Sequence, residues 1–306
     1  MFKEMPASGP VTLTTNLADY PISKALKSGA ITSDLVTFNF AGTKTANQSF
    51  KPMVREGKFD AGELAIVTFL QAIAWGKPLV LLPAVMVGRF QHNCISYNCT
   101  KGDITPKQLE GKRVGVRAYT QTTGVWVRGL LAHEYGVDID KVIWSTYEDP
   151  HVAEYKEPDF LERFDPNGKT MEELMFEGAF DAVIVGGEIP NEPRARTLIP
   201  NAKQAALDWH ARTGCVTVNH LFAVSAEVAK RKDVMQEIWR MLKETKAAMP
   251  APADGVDVYP FGWDANRKNL ELVIQYAYEQ KLLPRMMSVD EPVSYTHLTL
   301  PTILLV

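Results

Sequence analysis

The clearest fold signal in this chain is the stretch KRVGVRAYTQTTGVWVRGLLAHEYGVDIDKVIW at Lys112–Trp144. Val114 and Val116 alternate with small or polar residues, which is typical of a short strand. A polar loop follows at Tyr119–Gly124, and apolar residues then recur at helical spacing from Val127 onward. This order of strand, polar loop and helix predicts one βα unit of an α/β protein.

The polar loop of this unit is a candidate anion site. It contains Tyr119, Gln121, Thr122 and Thr123 where the predicted helix begins. The first N–H groups of a helix lack partners within the helix and carry the positive end of its dipole. Gly124 allows a ligand to approach the backbone closely. We therefore expect these residues to bind a carboxylate or another anion. The alternative is that Thr122 or Thr123 only caps its own helix.

Composition narrows the classes of partner. The chain has 306 residues, of which 46% are hydrophobic and 23% charged, and its formal net charge is −3. This length predicts two domains or lobes. Lys and Arg form no block, so nucleic acid is not an expected partner. No apolar run reaches the roughly 20 residues that span a bilayer, so membrane insertion is not expected either. A homo-oligomer is left open.

The N-terminus and the cysteines suggest a reducing compartment. Residues Met1–Tyr20 contain no apolar core of a signal peptide, so a chain that begins at Met1 is expected in the cytoplasm. The three cysteines, Cys94, Cys99 and Cys215, are predicted to be buried thiols outside any disulfide framework. They lack a companion CxxC or HxxxH pattern, so no metal site is predicted.

The C-terminal segment Val293–Val306 reads VSYTHLTLPTILLV and breaks with the preceding pattern. The helix-forming, charged residues of Leu270–Leu283 give way there to a run rich in Thr and Leu that lacks Asp, Glu, Lys and Arg. The segment resembles the translated read-through of a transposon-type sequencing adapter. We predict that it is a non-native tail without function.

Strand-like and helix-like segments alternate along the rest of the chain, which predicts an α/β protein with mostly parallel sheets. Besides the strand at Val114, the predicted strands are Val11–Leu17, Leu35–Phe40, Phe59–Leu64, Leu79–Pro83, Cys94–Asn98, Ile143–Thr146, Ala182–Val185, Leu198–Ile199 and Leu221–Ser225. The other predicted helices are Ile22–Lys27, Gln48–Glu56, Thr68–Trp75, Ile104–Leu109, Met171–Glu177, Ala226–Ala248 and Asn269–Gln280.

Five stretches together resemble the 4,5-dihydroxyphthalate decarboxylase family, and the resemblance covers almost all of Val11–Glu291. The stretches are FDAGELAIVTFL (Phe59–Leu70), LPAVMVGRFQHNCISYN (Leu82–Asn98), GKRVGVRAYTQTTGVWVRGLLAHEYGV (Gly111–Val137), RTGCVTVNHLFAVSAEV (Arg212–Val228) and FGWDANRKNLELVIQYAYEQKLLPR (Phe261–Arg285).

The resemblance implies a type II periplasmic-binding-protein-like fold, in which two α/β lobes joined by two hinge strands border a ligand cleft. Lobe I is expected at 1–91 plus 219–291, lobe II at 98–216, and the hinge at 92–97 and 217–218. The implied activity is decarboxylation of a hydroxylated aromatic dicarboxylate such as 4,5-dihydroxyphthalate, by general-acid protonation of the ring carbon. No cofactor and no metal are expected, because the ring hydroxyls themselves supply the electrons.

Charged residues near the predicted hinge are candidates for this chemistry. Arg89 and His92 lie just before the strand Cys94–Asn98; an arginine can grip a carboxylate with two hydrogen bonds, and a histidine can move a proton near neutral pH. The alternative is a surface arginine and a structural histidine. His220 lies before the return strand Leu221–Ser225 and is a second proton donor, or else a hydrogen-bonded core histidine.

Three further candidates each also have a structural explanation. Glu63 follows a predicted strand and is a candidate acid or base; the alternative is a carboxylate at a helix start that interacts with the helix dipole. Arg212 is placed to bind a second carboxylate, or forms an ordinary surface ion pair. Gly187, with Gly186, either lets a ligand lie against the backbone or simply forms a turn. The sequence thus assigns catalysis to His92, His220 and Glu63 and substrate binding to Arg89, Tyr119, Gln121, Thr122, Thr123, Gly187 and Arg212.

The alternative function is a solute-binding protein that delivers a small organic anion to an ABC-type transporter. It predicts the same fold and the same anion-binding groups. An exported binding protein needs a signal peptide or a lipidated cysteine near its N-terminus, and Met1–Leu17 contains neither. A biosynthetic enzyme on the same fold is a third reading, which no specific residue favours.

Overall fold

The computed structural model describes residues 2–42, 45–187, 192–252 and 255–291, so the predicted tail lies outside the described residues. The chain divides into two compact units. Unit 1 comprises Met1–Gly88, Val218–Ile274 and the described residues of Leu283–Val306, and unit 2 comprises Arg89–Thr217 and Gln275–Leu282.

Strands and helices alternate through most of the chain, which confirms the predicted α/β class. The strands are β1 (Val11–Asn16), β2 (Val36–Phe40), β3 (Ala61–Ala65), β4 (Leu79–Gly88), β5 (Ile95–Asn98), β6 (Arg113–Val116), β7 (Ile143–Thr146), β8 (Glu162–Arg163), β9 (Ala182–Ile184), β10 (Ala195–Thr197) and β11 (Val218–Ser225). The α-helices are α1 (Lys24–Lys27), α2 (Asn47–Lys51), α3 (Ile66–Ala74), α4 (Thr122–Tyr135), α5 (Met171–Glu177), α6 (Ala202–Thr213), α7 (Ala226–Ala229), α8 (Lys232–Ala247) and α9 (Trp263–Glu279).

The sheet of unit 1 has the strand order β2-β1-β3-β11-β4. Strand β1 runs parallel to β2 and β3, whereas β11 is antiparallel to both β3 and β4. Strands β4 and β11 are the ones that connect to unit 2, and they lie side by side, with Val218 opposite Gly88. The chain therefore leaves the sheet and returns to it at the same place.

Helix α8 covers one face of this sheet. Its buried residues, among them Ile238 and Leu242, recur at helical spacing and belong to one apolar cluster with Leu13, Leu82 and Phe222. Complete burial of one such side chain stabilises a fold by about 1.5–3 kcal/mol. Packing of α8 thus holds the strands that carry the site described below.

The sheet of unit 2 has the strand order β10-β5-β9-β6-β7-β8. Strand β6 is parallel to β7 and β9, and β5 is antiparallel to β9 and β10. Gly115 in β6 lies against Met171 and Phe180, whose side chains would be 2.4 Å and 2.9 Å from a Cβ there. This close packing explains the small residue in the middle of the predicted strand. Both sheets formed by the described residues are mixed, and five of their nine strand pairings are parallel, so the sheets are less uniformly parallel than predicted.

The predicted hinge at 92–97 differs from the observed division. Strand β5 pairs within the sheet of unit 2, and the chain crosses between the units at Gly88–Arg89 and again at Thr217–Val218. The first crossing comes earlier than predicted because β4 continues as one paired strand as far as Gly88. The backbone N–H of Arg89 donates to the carbonyl of Thr217, 3.3 Å away, and joins the two crossings.

Part of the C-terminal helix packs with unit 2, although the sequence assigned it to lobe I. Within Gln275–Leu282, the ring of Tyr276 fills the space left by Gly129, where a Cβ would lie 2.0 Å from the ring. The side chain of Gln280 accepts a hydrogen bond from Arg128, 2.7 Å away. These contacts anchor the segment because no other residue at position 129 leaves room for the ring.

Several element bounds also differ from prediction. Helix α6 was not predicted, and the expected long helix Ala226–Ala248 is two helices, α7 and α8. The strand expected at Leu198–Ile199 is β10, just before it. Cys94 and Cys215 are buried thiols as predicted, whereas Cys99 is half-buried. Among the helices of the described residues, none is both long and apolar enough to cross a bilayer.

Candidate functional site

A buried carboxylate and an imidazole meet on the sheet of unit 1. Glu63 lies on β3, and His220 lies opposite Ala65 in the antiparallel pair of β3 and β11. Because alternate residues of a strand share a face, Glu63 and His220 are diagonal neighbours on one face of the sheet. His220 Nδ1 is 2.5 Å from Glu63 Oε2. The register of two strands thus joins two candidates that the sequence proposed separately.

Other groups hold the Glu63 carboxylate in place. The backbone N–H of Ala18 donates to Oε1 at 2.7 Å, and the hydroxyl of Tyr20 donates to Oε2 at 3.2 Å. The carboxylate is 0% exposed, so without these donors its burial would be costly. With them, Glu63 is a fixed acceptor for the histidine.

The backbone around Glu63 depends on a close approach between two strands. Gly62 has a φ of +143°, and a Cβ at this position would lie 2.1 Å from the backbone oxygen of Asn16. The amide Nδ2 of Asn16 donates to the carbonyl of Glu63 at 2.8 Å. The sequence analysis missed Asn16 and Tyr20. Their position at and just after the end of the first strand was the available signal, because polar groups at strand ends often build sites.

His220 combines a fixed nitrogen with access to solvent. Its side chain is 18% exposed, and its ring lies edge-on to Phe50, with 5.1 Å between the ring centroids. The contact with Glu63 assigns the Nδ1 proton to that hydrogen bond. Nε2 is then the nitrogen that can give or take a proton, as in acid–base pairs of imidazole and carboxylate.

A second group of candidate residues surrounds the first turn of α4 in unit 2. The helix begins at Thr122, which confirms that Thr122 and Thr123 lie at a helix N-terminus. Both threonines are buried, and the side chain of Gln121 makes no capping hydrogen bond. Arg89 Nη2 donates to Thr123 Oγ1 at 3.5 Å and to the carbonyl of Gly186. Arg89, the helix terminus and the end of β9 are therefore close together.

Two buried polar atoms of this group lack partners among the described residues. They are Nε of Arg89 and Oε1 of Gln121. Gly187 is nearby in the chain, and no atom of the described residues beyond its chain neighbours lies within 4 Å of the position that a Cβ would occupy there. Buried donors and acceptors are normally satisfied by protein, water or ligand. The Arg89 Nε is a donor and suits an anion, whereas the Gln121 Oε1 is an acceptor and suits a hydroxyl group of a ligand.

His92 lies in an apolar cage in unit 2. It is 1% exposed, and its ring is edge-on to Trp209 and Phe90, at centroid distances of 5.6 Å and 6.3 Å. Burial lowers the pKa of His92 to about 4, because the cage cannot solvate a charged ring. The imidazole is therefore neutral at neutral pH. These surroundings agree with the structural alternative for His92, and its catalytic role stays a prediction.

Arg212 is an ordinary surface residue. Its guanidinium forms an ion pair with Glu134, and its side chain is 59% exposed. It lies at the C-terminal end of α6, a helix that the sequence analysis did not predict. This contact agrees with the ion-pair alternative for Arg212, and its substrate-binding role stays a prediction.

Tyr119 is buried rather than presented on the loop surface. It is stacked on the guanidinium of Arg128, whose central carbon lies 3.9 Å from the ring centroid. The ring of Phe160 is edge-on to it at 5.8 Å. Burial raises the pKa of the Tyr119 phenol, which stays protonated at neutral pH. Its contact with Arg128 makes it part of the support for the helix terminus.

Arg128 itself is a buried residue that the sequence analysis missed. It is one of the largest fully buried side chains, although it carries a charge. The available signal was a charged residue in α4 whose neighbours Trp126, Val127 and Leu130 are apolar.

Within the described ranges, no three side chains of His, Cys, Asp or Glu are grouped as a metal site requires.

Comparison with known sequences finds two relatives of the same name. The chain is 30% identical over 189 residues to a 4,5-dihydroxyphthalate decarboxylase of Comamonas testosteroni, which is 58% of this chain and 57% of that protein. It is 29% identical over 168 residues to the 4,5-dihydroxyphthalate decarboxylase of Pseudomonas putida, 51% of this chain and 65% of that protein. The matched regions thus span somewhat more than half of each relative. No protein-family model matches the chain.

Comparison with solved structures identifies the fold. The alkanesulfonate-binding protein SsuA of Xanthomonas axonopodis pv. citri superposes with a TM-score of 0.58 at 14% identity, over 94% of this chain and 99% of that one. The desulfurization enzyme DszB superposes with a TM-score of 0.52 at 15% identity, over 91% and 96%. One fold therefore occurs in a binding protein and in an enzyme, and it does not by itself identify an activity.

These comparisons confirm the resemblance and the fold class that the sequence motifs predicted. By sequence the chain is a relative of the 4,5-dihydroxyphthalate decarboxylases, and its two α/β units have the fold of the periplasmic binding proteins.

Proposed function

We propose that this protein decarboxylates a hydroxylated aromatic dicarboxylate of the 4,5-dihydroxyphthalate type. The observation that carries the proposal is the pair of Glu63 and His220, an imidazole held by a buried carboxylate in a relative of decarboxylases. The pair supplies the one catalytic group that this reaction needs from the protein, a positioned proton donor.

The chemistry follows from the substrate. In 4,5-dihydroxyphthalate each carboxylate-bearing ring carbon lies para to a hydroxyl group, which pushes electrons toward that carbon. Protonation of the carbon forms a C–H bond and a cationic, non-aromatic ring. The bond to the carboxylate then breaks, its electron pair returns to the ring, and CO₂ leaves as aromaticity is restored. The products are 3,4-dihydroxybenzoate and CO₂.

His220 is the proton donor in this proposal. With Nδ1 hydrogen-bonded to Glu63, the protonated ring delivers its Nε2 proton to the ring carbon, and the Glu63 carboxylate stabilises the charged imidazole before the transfer. Because the side chain is 18% exposed, a proton from solvent can restore the imidazolium after each turnover. Glu63 remains an acceptor throughout and orients the ring.

The residues around the first turn of α4 are proposed to bind a carboxylate. Arg89 offers a buried Nε without a partner among the described residues, and the helix terminus adds the hydroxyls of Thr122 and Thr123. A guanidinium and a helix N-terminus both favour a negative charge. We assign the unpartnered Oε1 of Gln121 to a ring hydroxyl of the substrate, because an amide oxygen accepts a hydrogen bond and the hydroxyl donates one.

The alternative is a binding protein for an organic anion, and one observation favours it. The residues around the first turn of α4 could bind an anion without catalysing a reaction, and the fold occurs in an alkanesulfonate-binding protein. A binding protein forms a stable complex with 4,5-dihydroxyphthalate without consuming it. The two functions therefore differ in turnover and not in affinity.

Incubation of the purified protein with 4,5-dihydroxyphthalate tests the proposal. We expect release of CO₂ and formation of 3,4-dihydroxybenzoate, and in D₂O we expect one deuterium at the vacated ring carbon. Phthalate is the matched control, because it lacks the hydroxyls and should bind without reacting. Binding of 4,5-dihydroxyphthalate without any CO₂ release would favour the transporter alternative. The cytoplasmic location stays a prediction, which fractionation of the producing cells tests.

A further inference from the structure

Arg128 is a buried cation without a carboxylate partner among the described residues. Its Nε donates to Gln280 Oε1 at 2.7 Å, and its Nη2 donates to the carbonyl of Tyr119 at 2.5 Å. Its guanidinium also faces the rings of Tyr119 and Trp144, at 3.9 Å and 5.3 Å. Every one of these partners is neutral, so the positive charge is not cancelled locally.

The guanidinium lies beside the first turn of α4. Side chains of a helix point back toward its N-terminus, and Arg128 follows this rule. Its Nη1 is 3.0 Å from the position that a Cβ on Gly124 would occupy, one turn earlier. This Nη1 is buried and has no hydrogen-bond partner among the described residues. The absence of a side chain at Gly124 thus leaves room for a charged donor at the helix terminus.

The neutral partners offset only part of the cost of burying this charge. Burial lowers the pKa of Arg128, and the phenols of Tyr119 and Tyr155 act in the opposite direction. A guanidinium nevertheless keeps its charge in proteins. The charge therefore adds to the positive end of the α4 dipole, because both lie at the same turn. Such a terminus attracts an anion more strongly than a helix terminus alone.

We propose that Arg128 is a positioning residue whose uncompensated charge sets the affinity of the α4 terminus for a carboxylate. The identity of the ligand as an aromatic carboxylate rests on the proposed function. Arg128 need not touch the ligand, because its charge acts through the first turn of the helix. When the ligand binds, its carboxylate becomes the counter-ion of the Arg128 guanidinium.

A purely structural role makes a different prediction. Arg128 and Gln280 together fasten the segment Gln275–Leu282 to α4, since Gln280 Nε2 also donates to the carbonyl of Val125 at 2.9 Å. If this fastening were the whole role of Arg128, a stronger bond to residue 280 would leave anion affinity unchanged. Two substitutions of Gln280 separate the alternatives without altering Arg128.

The decisive variant is Gln280→Glu, which is nearly the same shape and places a carboxylate beside Arg128 Nε. We expect it to weaken the binding of phthalate about tenfold or more, because an internal counter-ion cancels the charge that attracts the ligand. The matched variant Gln280→Met removes both hydrogen bonds of the glutamine but leaves the guanidinium uncompensated. We expect it to lower the melting temperature while phthalate affinity stays within about threefold, since the charge is unchanged.

The measurement is a calorimetric titration with phthalate, which binds as a dicarboxylate and has no hydroxyls to support decarboxylation. Equal affinity of wild type and Gln280→Glu, or no phthalate binding by the wild type, overturns the proposal. Arg128→Lys is a second check: the compact ammonium keeps the charge, so it should retain phthalate affinity better than Arg128→Met. A protein that shows this pattern but releases no CO₂ from 4,5-dihydroxyphthalate keeps the inference and loses the proposed activity.

Discussion

Two histidines of this protein look alike in the sequence and differ in the structure. His220 lies on a central strand beside the buried carboxylate of Glu63, and part of its side chain reaches solvent. His92 lies among the rings of Trp209 and Phe90 and is almost fully buried. One ring is hydrogen-bonded to a carboxylate, and the other lies in surroundings that disfavour a charged ring.

The difference shows that the neighbours of an imidazole, and not its place near a predicted hinge, decide whether it can move a proton. From their positions beside predicted strands, both histidines were predicted to be proton donors. Burial among aromatic rings keeps the His92 imidazole uncharged at neutral pH, since its pKa is lowered to about 4. A carboxylate neighbour gives His220 a fixed orientation and a counter-charge. The following experiments test this contrast, beginning with the largest expected effect.

Replacement of each histidine by asparagine should separate the two roles. We expect His220→Asn to lower kcat for 4,5-dihydroxyphthalate by about 10²–10⁴-fold, because the amide cannot deliver a proton, while KM changes little. His92→Asn should keep kcat within about tenfold, because an uncharged imidazole is a poor general acid. The assay is steady-state CO₂ release, with His133→Asn, at an exposed histidine paired with Glu279, as a matched control. Equal losses in the His92 and His220 variants would contradict the contrast.

The pH dependence of stability should report on His92. Between pH 6.5 and about 4 the unfolded chain protonates this residue and the folded protein does not. The unfolded state then binds more protons, so the free energy of unfolding falls as the pH is lowered through this window, by about 3 kcal/mol over its whole width. Above pH 6.5 the contribution is complete.

Denaturant titrations of the wild type and of His92→Leu at several pH values measure this effect. Because all other groups titrate in both proteins, the difference between their unfolding free energies isolates His92. We expect that difference to change steadily between pH 6.5 and 4. A difference that is independent of pH would show that His92 is not a buried neutral base.

Loss of one donor to Glu63 should have a moderate effect. Tyr20→Phe removes the hydroxyl that shares Glu63 Oε2 with His220. One neutral hydrogen bond contributes about 1 kcal/mol, so we expect kcat to fall about fivefold with little change in KM. Steady-state kinetics measure both quantities. A loss as large as that of His220→Asn would mean that the Tyr20 hydroxyl is as important for turnover as His220, which contradicts its role as one donor to Glu63.

The smallest effect is expected at Arg212. Because its ion pair with Glu134 is exposed, Arg212→Ala should leave kcat and KM for 4,5-dihydroxyphthalate unchanged and alter the free energy of unfolding by about 1 kcal/mol or less. Arg89→Ala is the contrasting variant, and we expect it to raise KM. A rise of KM in Arg212→Ala would instead support the predicted substrate-binding role of Arg212.

Local features of the chain were predictable because their causes are local. Helix α4 was recognised from apolar spacing, and its start at Thr122 agrees with the polar loop that precedes it. Helix α5 and strand β7 were predicted to the residue. Helix α6 was not predicted because few of its residues are buried, so its apolar residues show no clear helical period. Sequence patterns reveal those segments that bury one apolar face against a sheet.

The sequence by itself determined the α/β class, the polar start of α4 and the likeness to a decarboxylase family, because propensity, periodicity and motif spacing are properties of short segments. Only the tertiary structure decided which candidates meet. The antiparallel register of β3 and β11 brings His220 to Glu63, although they are far apart in the chain. The return of Gln280 to Arg128 similarly leaves a buried charge at the helix terminus. Such contacts depend on strand pairing and packing between distant segments, which residue spacing does not encode.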